Sequence, residues 1–443
     1  MKFKKFLAVL GVVVPVTTGC SGDTSSNVIS ETVASPEIIS EAQAMSESEM
    51  IGAGAGSILF EIDEEEVSSV VKEEEPVIVT EKRLKHDIQK SAALIDAQEN
   101  KCENVMVSSL SLDMALALAT NGADGETLSE LEGYLELPVK AYNEYAKDLT
   151  SDLPDEMHIA NSVWVNDECT IKDDYVSFLK DRYNVQAETI NAKDGVGSAD
   201  RINTWVKENT KEMIDQLVTP DNITPDLFAV LVNAICFEDE WQTPFQDDDI
   251  IEKHRFSNID DSVSYVTMLS ESGSGRYLEN DTMKAFIKPY KNDRYQFIGI
   301  LPNSEGDIIN KSLAELGVEE LLSTDIKYSD DLNIMFPEFE FDYNVQGIIQ
   351  TMKEQGVQTP FTMNADFSLM SDANLNISSI VQKTKVKVDR KGTKAAAATG
   401  TEMLMAEMEF EPPVYIICDR PFVFVIYDTK MDTVAFMGKV VKL

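Results

Sequence analysis

Gly392-Thr393-Lys394-Ala395-Ala396-Ala397-Ala398-Thr399-Gly400-Thr401-Glu402-Met403 is the stretch on which the reading of this chain turns. In an extended strand, successive side chains point to opposite faces. One face of this stretch would carry Thr393, Ala395, Ala397, Thr399, Thr401 and Met403, none charged and all small except the last. The other would carry Lys394, Ala396, Ala398, Gly400 and Glu402, with both charges. No proline interrupts 391–411, so no ladder donor is missing. Such a segment can enter the middle of a β-sheet with its uncharged side turned inward. An alanine run is also a good helix former or a flexible linker. The strand-like runs on either side, 379–389 and 414–427, are what set it in a sheet context.

Outward from this stretch, the chain from 82 to 443 reads as one continuous globular unit without a second linker. Leu84, Ile88, Ala92 and Ile95 recur at helical spacing, and 110–119 continues that pattern. Further helices are expected at 126–136, 173–182, 198–217 and 344–355. Strands are expected at 159–165, 228–237, 284–301, 332–341, 379–389, 414–427 and 432–441. Helices mixed with long, often non-adjacent strands indicate an α+β fold around a large sheet. No internal repeat is present.

Lys+Arg number 38 against 78 Asp+Glu, a formal charge of −40. That balance argues against nucleic acid as a partner, because phosphates need Lys and Arg to displace their counterions. Lys2, Lys4 and Lys5 followed by an apolar run from Phe6 to Val16 read as a signal peptide over 1–20, too short to span a bilayer comfortably. Its end, Thr17-Thr18-Gly19-Cys20, resembles a bacterial lipoprotein signal, although Thr17 stands where Leu is usual. Cys20 would then be lipidated, tying the chain to the extracellular face of a bacterial cell membrane; the alternative is a secreted protein. Residues 21–81 read as an acidic flexible tether, with fourteen acids against one base, Lys72, between 21 and 80.

Several blocks then fall into one familiar order. They are Asn104-Val105-Met106-Val107-Ser108-Ser109-Leu110-Ser111, Asn121-Gly122-Ala123-Asp124-Gly125-Glu126-Thr127-Leu128, and the run from Asn233 through Trp241 to Phe245. Phe336-Pro337, Asn364-Ala365-Asp366-Phe367-Ser368, the hinge Gly392–Thr399, Arg420-Pro421-Phe422-Val423-Phe424 and Phe436-Met437-Gly438-Lys439-Val440 follow. In this order and spacing they resemble the serpin family over nearly all of 83–443. The resemblance implies a large central β-sheet with additional sheets, about eight to nine helices, and an exposed reactive-centre loop at about 391–412. It also implies a suicide inhibitor of serine proteases, in which the bait loop is cut, the protease is trapped as an acyl-enzyme, and the loop inserts into the central sheet.

In inhibitory members the cut falls fourteen residues after the hinge glycine, which from Gly392 gives Ala406, with Glu407 on the leaving side. Met405 and Met408 are the rival positions. A small apolar Ala406 suits a shallow apolar specificity pocket, as in elastase-like enzymes. No Arg or Lys lies between 395 and 411, which argues against trypsin-like targets. The hinge carries no proline, and its one charge, Lys394, falls on the outward face, whereas bulky, charged or proline residues in the hinge are expected of a non-inhibitory serpin acting as a binding protein, the alternative reading.

Four departures from the family pattern stand out. Arg390 takes the place of an acid two residues before the hinge glycine, and Glu338 the place of a base after Pro337; the two are expected to form a charge-swapped pair where the loop enters the sheet. Mid-sheet, Ser111 and Asn233 match a polar cluster whose usual His is here Gln382, a residue that can both donate and accept. Ser109 replaces a Pro and is read as neutral.

Only His86, His158 and His254 are present, and none adjoins a GxSxG or HExxH motif, so they read as surface residues rather than catalytic bases. Cys102, Cys169, Cys236 and Cys418 make no CxxC motif and no metal spacing with His, and Cys236 and Cys418 read as small core residues. No cofactor, metal or catalytic site is expected. The partners expected are a target serine protease and, through Cys20, a membrane; the chain is expected to be a monomer.

Overall fold

The computed structural model describes residues 83–151, 153–185, 187–390 and 412–443. The first two-fifths of this region are mostly helical. Helix α1 covers 83–96; α2 (Ser109–Thr120), α3 (Gly125–Leu135) and α4 (Val139–Thr150) follow. Then come α5 (Asp173–Tyr183) and α6 (Gly195–Asn209). Helix α2 is buried along its whole length, and Ser108 caps it by accepting from the Ser111 backbone N–H. The amphipathic α4 has no Ser, Thr, Asp or Asn at its cap, which is Pro138. That missing start signal explains why periodicity alone passes over it.

The strands are β1 (Val105–Val107), β2 (Met157–Asn166), β3 (Ala187–Ile190), β4 (Ala229–Phe237), β5 (Ile250–Ser257), β6 (Val263–Glu279) and β7 (Met283–Pro289). They continue with β8 (Tyr295–Pro302), β9 (Lys327–Pro337), β10 (Phe339–Val345), β11 (Ile377–Val388), β12 (Val414–Ile417), β13 (Phe422–Asp428) and β14 (Thr433–Val440). They form two sheets. The larger runs β1-β14-β13-β8-β7-β6-β9-β12, with β5 added on β6; the smaller runs β10-β11-β4-β2-β3.

Strands β4, β13 and β14 are buried at every residue, as mostly apolar runs covered on both faces are. In the larger sheet Phe424 lies in register with Gly438 on one side and Gly299 on the other. A Cβ on Gly438 would come within 2.6 Å of the Phe424 ring, so the glycines make room for an aromatic layer in which Phe424 stacks on Phe297. The smaller sheet is covered on one face by α6. Ile202 and Val206 of this helix pack with Trp164, Val230, Val232 and Ala234 of β2 and β4.

Several boundaries differ from the sequence expectation. The expected strand 284–301 is a hairpin, β7 and β8, turned at Tyr290–Arg294 with Asp293 left-handed at φ 58°. The expected strand 332–341 divides at Glu338 into strands of different sheets, and 414–427 divides into β12 and β13. The helix expected at 198–217 starts at Gly195 and ends at Asn209, just before left-handed Lys211 and Glu212. The helix expected at 344–355 begins only at Ile348, because β10 runs to Val345 and Gly347 turns at φ 68°.

Candidate functional site

The feature that sets this molecule apart lies in the smaller sheet. Its two central strands, β4 and β11, run parallel and pair over nine residues, from Ile377 opposite Ala229 to Val386 opposite Phe237. Strands β10 and β2 flank them antiparallel. A parallel pair in such a sheet is a seam, because a strand returning antiparallel to β11 would fit between the two and pair antiparallel with both. Antiparallel pairs are slightly the more stable per residue. Residues 391–411 link β11 of this sheet to β12 of the other, where β12 is held parallel to β9. The hinge Gly392, Thr393, Lys394, Ala395, Ala396, Ala397, Ala398 and Thr399, the reactive-bond candidates Met405, Ala406, Glu407 and Met408, and Cys20 all lie outside the described residues.

Strand β11 alternates along its length: Gln382, Thr384, Val386 and Val388 are buried, while Lys383, Lys385 and Lys387 lie on the other face. There Lys383 pairs with Asp342 at 2.6 Å and Lys385 with Glu340 at 3.2 Å, both acids from β10. Lys387 reaches the other way, across the seam, to Glu238 at 2.8 Å.

The seam is held shut at its middle by a buried polar cluster. Gln382 on β11 donates through Nε2 to Asn233 Oδ1 on β4 and to the Ser108 carbonyl at 2.8 Å, while its Oε1 accepts from the Ser108 N–H at 3.2 Å. Asn233 Nδ2 is in reach of Ser111 Oγ, of the Ser111 carbonyl at 3.0 Å, and of Asn161 Oδ1 on β2. Three strands are thus tied to the first turn of α2. Gln382 uses both its donor and its acceptor capacity, which is why the cluster closes without a histidine. Two members, Ser108 and Asn161, were not singled out from the sequence. Asn161 was visible, with Ser162 beside it, as a polar interruption of an otherwise apolar strand run.

At the end where the chain leaves β11, Trp241 is 2% exposed and donates from Nε1 to the Asp389 carbonyl at 2.7 Å. Its ring stacks on Tyr290, with centroids 4.4 Å apart. Arg390 meets Glu338 through a fork, Nε to Oε1 at 2.8 Å and Nη2 to Oε2 at 2.7 Å, and the Arg390 N–H adds a third bond at 2.9 Å. The charge-swapped pair therefore forms, and it fixes the departure of the loop against the β9–β10 corner. Asp239, at the same end, has its carboxyl pushed up to about 6 by burial, against a backbone bond from Glu240 N–H that works to lower it.

Two sequence readings need correction. His86 is not a surface residue: it is 6% exposed, with Nδ1 3.3 Å from Glu136 and Nε2 3.6 Å from Asp113. Ser109 is not neutral: its hydroxyl donates to the Asp87 carbonyl at 3.0 Å and accepts from Ser91 at 2.9 Å. Cys169, Cys236 and Cys418 are buried free thiols and Cys102 an exposed one. Among the described residues no three His, Cys, Asp or Glu side chains stand together as a metal site.

The fold and seam define a class: α+β proteins in which the chain passes from one strand of a parallel seam in one sheet to a strand of the other sheet. Residues 93–443 match the family model described as Serpin (serine protease inhibitor), and the chain belongs to the serpin family. An uncharacterized serpin-like protein of Thermococcus kodakarensis is 28% identical over 387 residues, covering 84% of this chain and 87% of that protein. Antichymotrypsin-2 of Bombyx mori is 27% identical over 339 residues, covering 74% and 89%. The native state of the thermophilic serpin Tengpin superposes with a TM-score of 0.68 at 28% identity, covering 81% of this chain and 93% of that one. Serpins are generally inhibitors that act on target serine proteases rather than catalysts.

Proposed function

We propose that this chain is a suicide inhibitor of serine proteases with elastase-like preference. The observation that carries the reading is the parallel β4–β11 seam, from one strand of which the 391–411 loop departs. The protease serine Oγ attacks the Ala406 carbonyl, the bond from Ala406 carbon to Glu407 nitrogen breaks, and Glu407 leaves as a free amine. Ala406 remains as an ester on the protease. The arm 393–406 is then free of β12 and enters the seam antiparallel to both strands. Its fourteen residues extend about 48 Å, against about 34 Å for the paired part of β11, so the arm spans the whole seam. Dragging the ester to the far end distorts the protease, and a misplacement of about 1 Å can slow deacylation roughly 10²-fold.

The target preference rests on Ala406 and on the lack of Arg or Lys between 395 and 411. Mixing the protein with an elastase-like protease should give an adduct that survives SDS, with release of a fragment beginning at Glu407. A fragment beginning at Ala406 or at Glu409 would move the cut to Met405 or Met408. Cleavage without any adduct would favour the alternative, a serpin that acts as a binding protein. The excess of acid favours encounter with basic proteases. Cys20 serves as the lipid anchor on the extracellular membrane face, and Cys20→Ser should release the chain to the medium; continued membrane retention would remove the anchor from the account.

A further inference from the structure

Helix α2 is gripped from two sides at its first turns. One side carries Ser108 and Ser111, which hold the seam through Gln382 and Asn233. The other carries Ser109 and, one turn on, Asp113. A full negative charge sits here in a helix whose every residue is buried.

Asp113 is gripped in turn by α1. Lys90 reaches Oδ1 at 2.5 Å, and Arg83 bonds Oδ2. Arg83 also pairs with Asp87 at 3.1 Å and donates to the Leu135 carbonyl at 3.2 Å. Asp87 bonds Thr433 of β14 through its carboxyl and accepts from Ser109 through its carbonyl. Aromatic rings close the cluster: Tyr134 lies 3.6 Å from Lys90 Nζ, and Tyr142 and Tyr145 lie 5.3 and 5.4 Å from the Arg83 guanidinium. His86, with Glu136 behind it, completes the ring of titratable groups. Burial works to raise the Asp113 carboxyl, but Lys90 and Arg83 together hold it well below the usual carboxylate range. Burial lowers Lys90 to about 8, so both partners are mostly charged at neutral pH.

A buried ion cluster of this kind adds little stability over well-packed apolar side chains, yet losing one partner is strongly destabilising. What charges do provide is a defined geometry, since ion pairs and forked hydrogen bonds fix direction as apolar contacts do not. Here the geometry fixed is the position of α2 against the seam. We infer that Asp113 is a positioning residue: clamped by Lys90 and Arg83, it holds the first turn of α2 in place, so that Ser108 and Ser111 keep the seam shut until the loop is cut. The inference rests on the reading of the seam as the place of loop entry.

The test follows the uncut protein as it loses trapping capacity and turns into a heat-resistant form, which is spontaneous loop entry. Three proteins are compared: wild type, Asp113→Asn, and the doubly neutral Lys90→Met/Asp113→Met. Asp113→Asn should convert roughly tenfold faster or more, because removing one member of a buried pair leaves the other uncompensated. The double variant should recover most of the resistance to denaturant unfolding, yet still convert several-fold faster than wild type. Conversion rates that simply follow unfolding stability across the three would overturn the positioning role, as would unchanged conversion in Asp113→Asn. If Asp113→Asn does not fold, Lys90→Gln, which leaves Arg83 on Asp113, takes its place in the comparison. Cutting the wild-type loop gives the separate control: no gain in heat resistance there removes loop entry itself, and this inference with it.

Discussion

Asp239 shows how a single side chain near the mouth of the seam works against the native state. Its Oδ1 accepts from the Glu240 N–H at 2.7 Å, but Oδ2 is buried with no hydrogen-bond partner among the described residues. The folded carboxyl titrates at about 6, above its ordinary value, with burial the main cause and Glu156 and Glu240 adding to it. A raised carboxyl means that the folded form takes up a proton between about pH 6 and 4 that the unfolded chain does not, so the penalty is present above 6 and vanishes below 4. Asp239→Asn keeps the acceptor and removes the charge. It should stabilise the protein by about 1 kcal/mol at pH 7, after allowance for partial exposure, and by almost nothing at pH 4. Equal effects at the two pH values, by thermal melts, would refute this. Arg390 and Glu338, a few residues away in the fold, show the opposite case: two departures from family usage that make sense only together, as a forked pair with a backbone bond added.

At the scale of the element, α2 and the seam strands explain what was legible beforehand and what was not. Strands β4, β11 and β14 could be read because their residues are either mostly apolar or alternating along most of the strand. Helix α4 could not, because Pro138 offers no capping side chain. Nor could the sheet change at Glu338, since Phe336, Phe339 and Phe341 continue an apolar pattern straight through the corner. Ser111, Asn233, Trp241 and Gln382 were found by family likeness, but their partners Ser108 and Asn161 need three-dimensional proximity. Asp113 stood in plain view as a charge inside an apolar helix, and its meaning came only with Arg83 and Lys90 beside it. The cluster itself gives a test. Because Gln382 does not titrate, it contributes no pH dependence to seam closure between pH 5 and 8. In Gln382→His, protonation would leave only donors facing the Ser108 N–H, and burial disfavours the charged ring. The melting-temperature gap between variant and wild type should therefore widen as pH falls from 7 to 5, through the ordinary histidine range near 6.5. A gap constant with pH would show that residue 382 does not exchange these bonds.

Across the whole molecule, the native fold leaves an unmade set of hydrogen bonds at its centre. Strands β4 and β11 are satisfied by each other, but a third strand between them would replace one parallel ladder with two antiparallel ones. About a dozen inserted residues at ~0.5–1.5 kcal/mol of net hydrogen bonding give roughly 6–18 kcal/mol. This is comparable with the total stability of an ordinary domain. The inhibitor reading requires that this energy be withheld in the uncut chain and released by one cut. The most direct measurement is calorimetry of the protein before and after a non-target protease nicks the 391–411 loop. The account predicts that the nicked protein, still carrying both fragments, melts roughly 10–30 °C higher. A nicked protein that melts at or below the temperature of the intact one would contradict it, whatever the sheets look like.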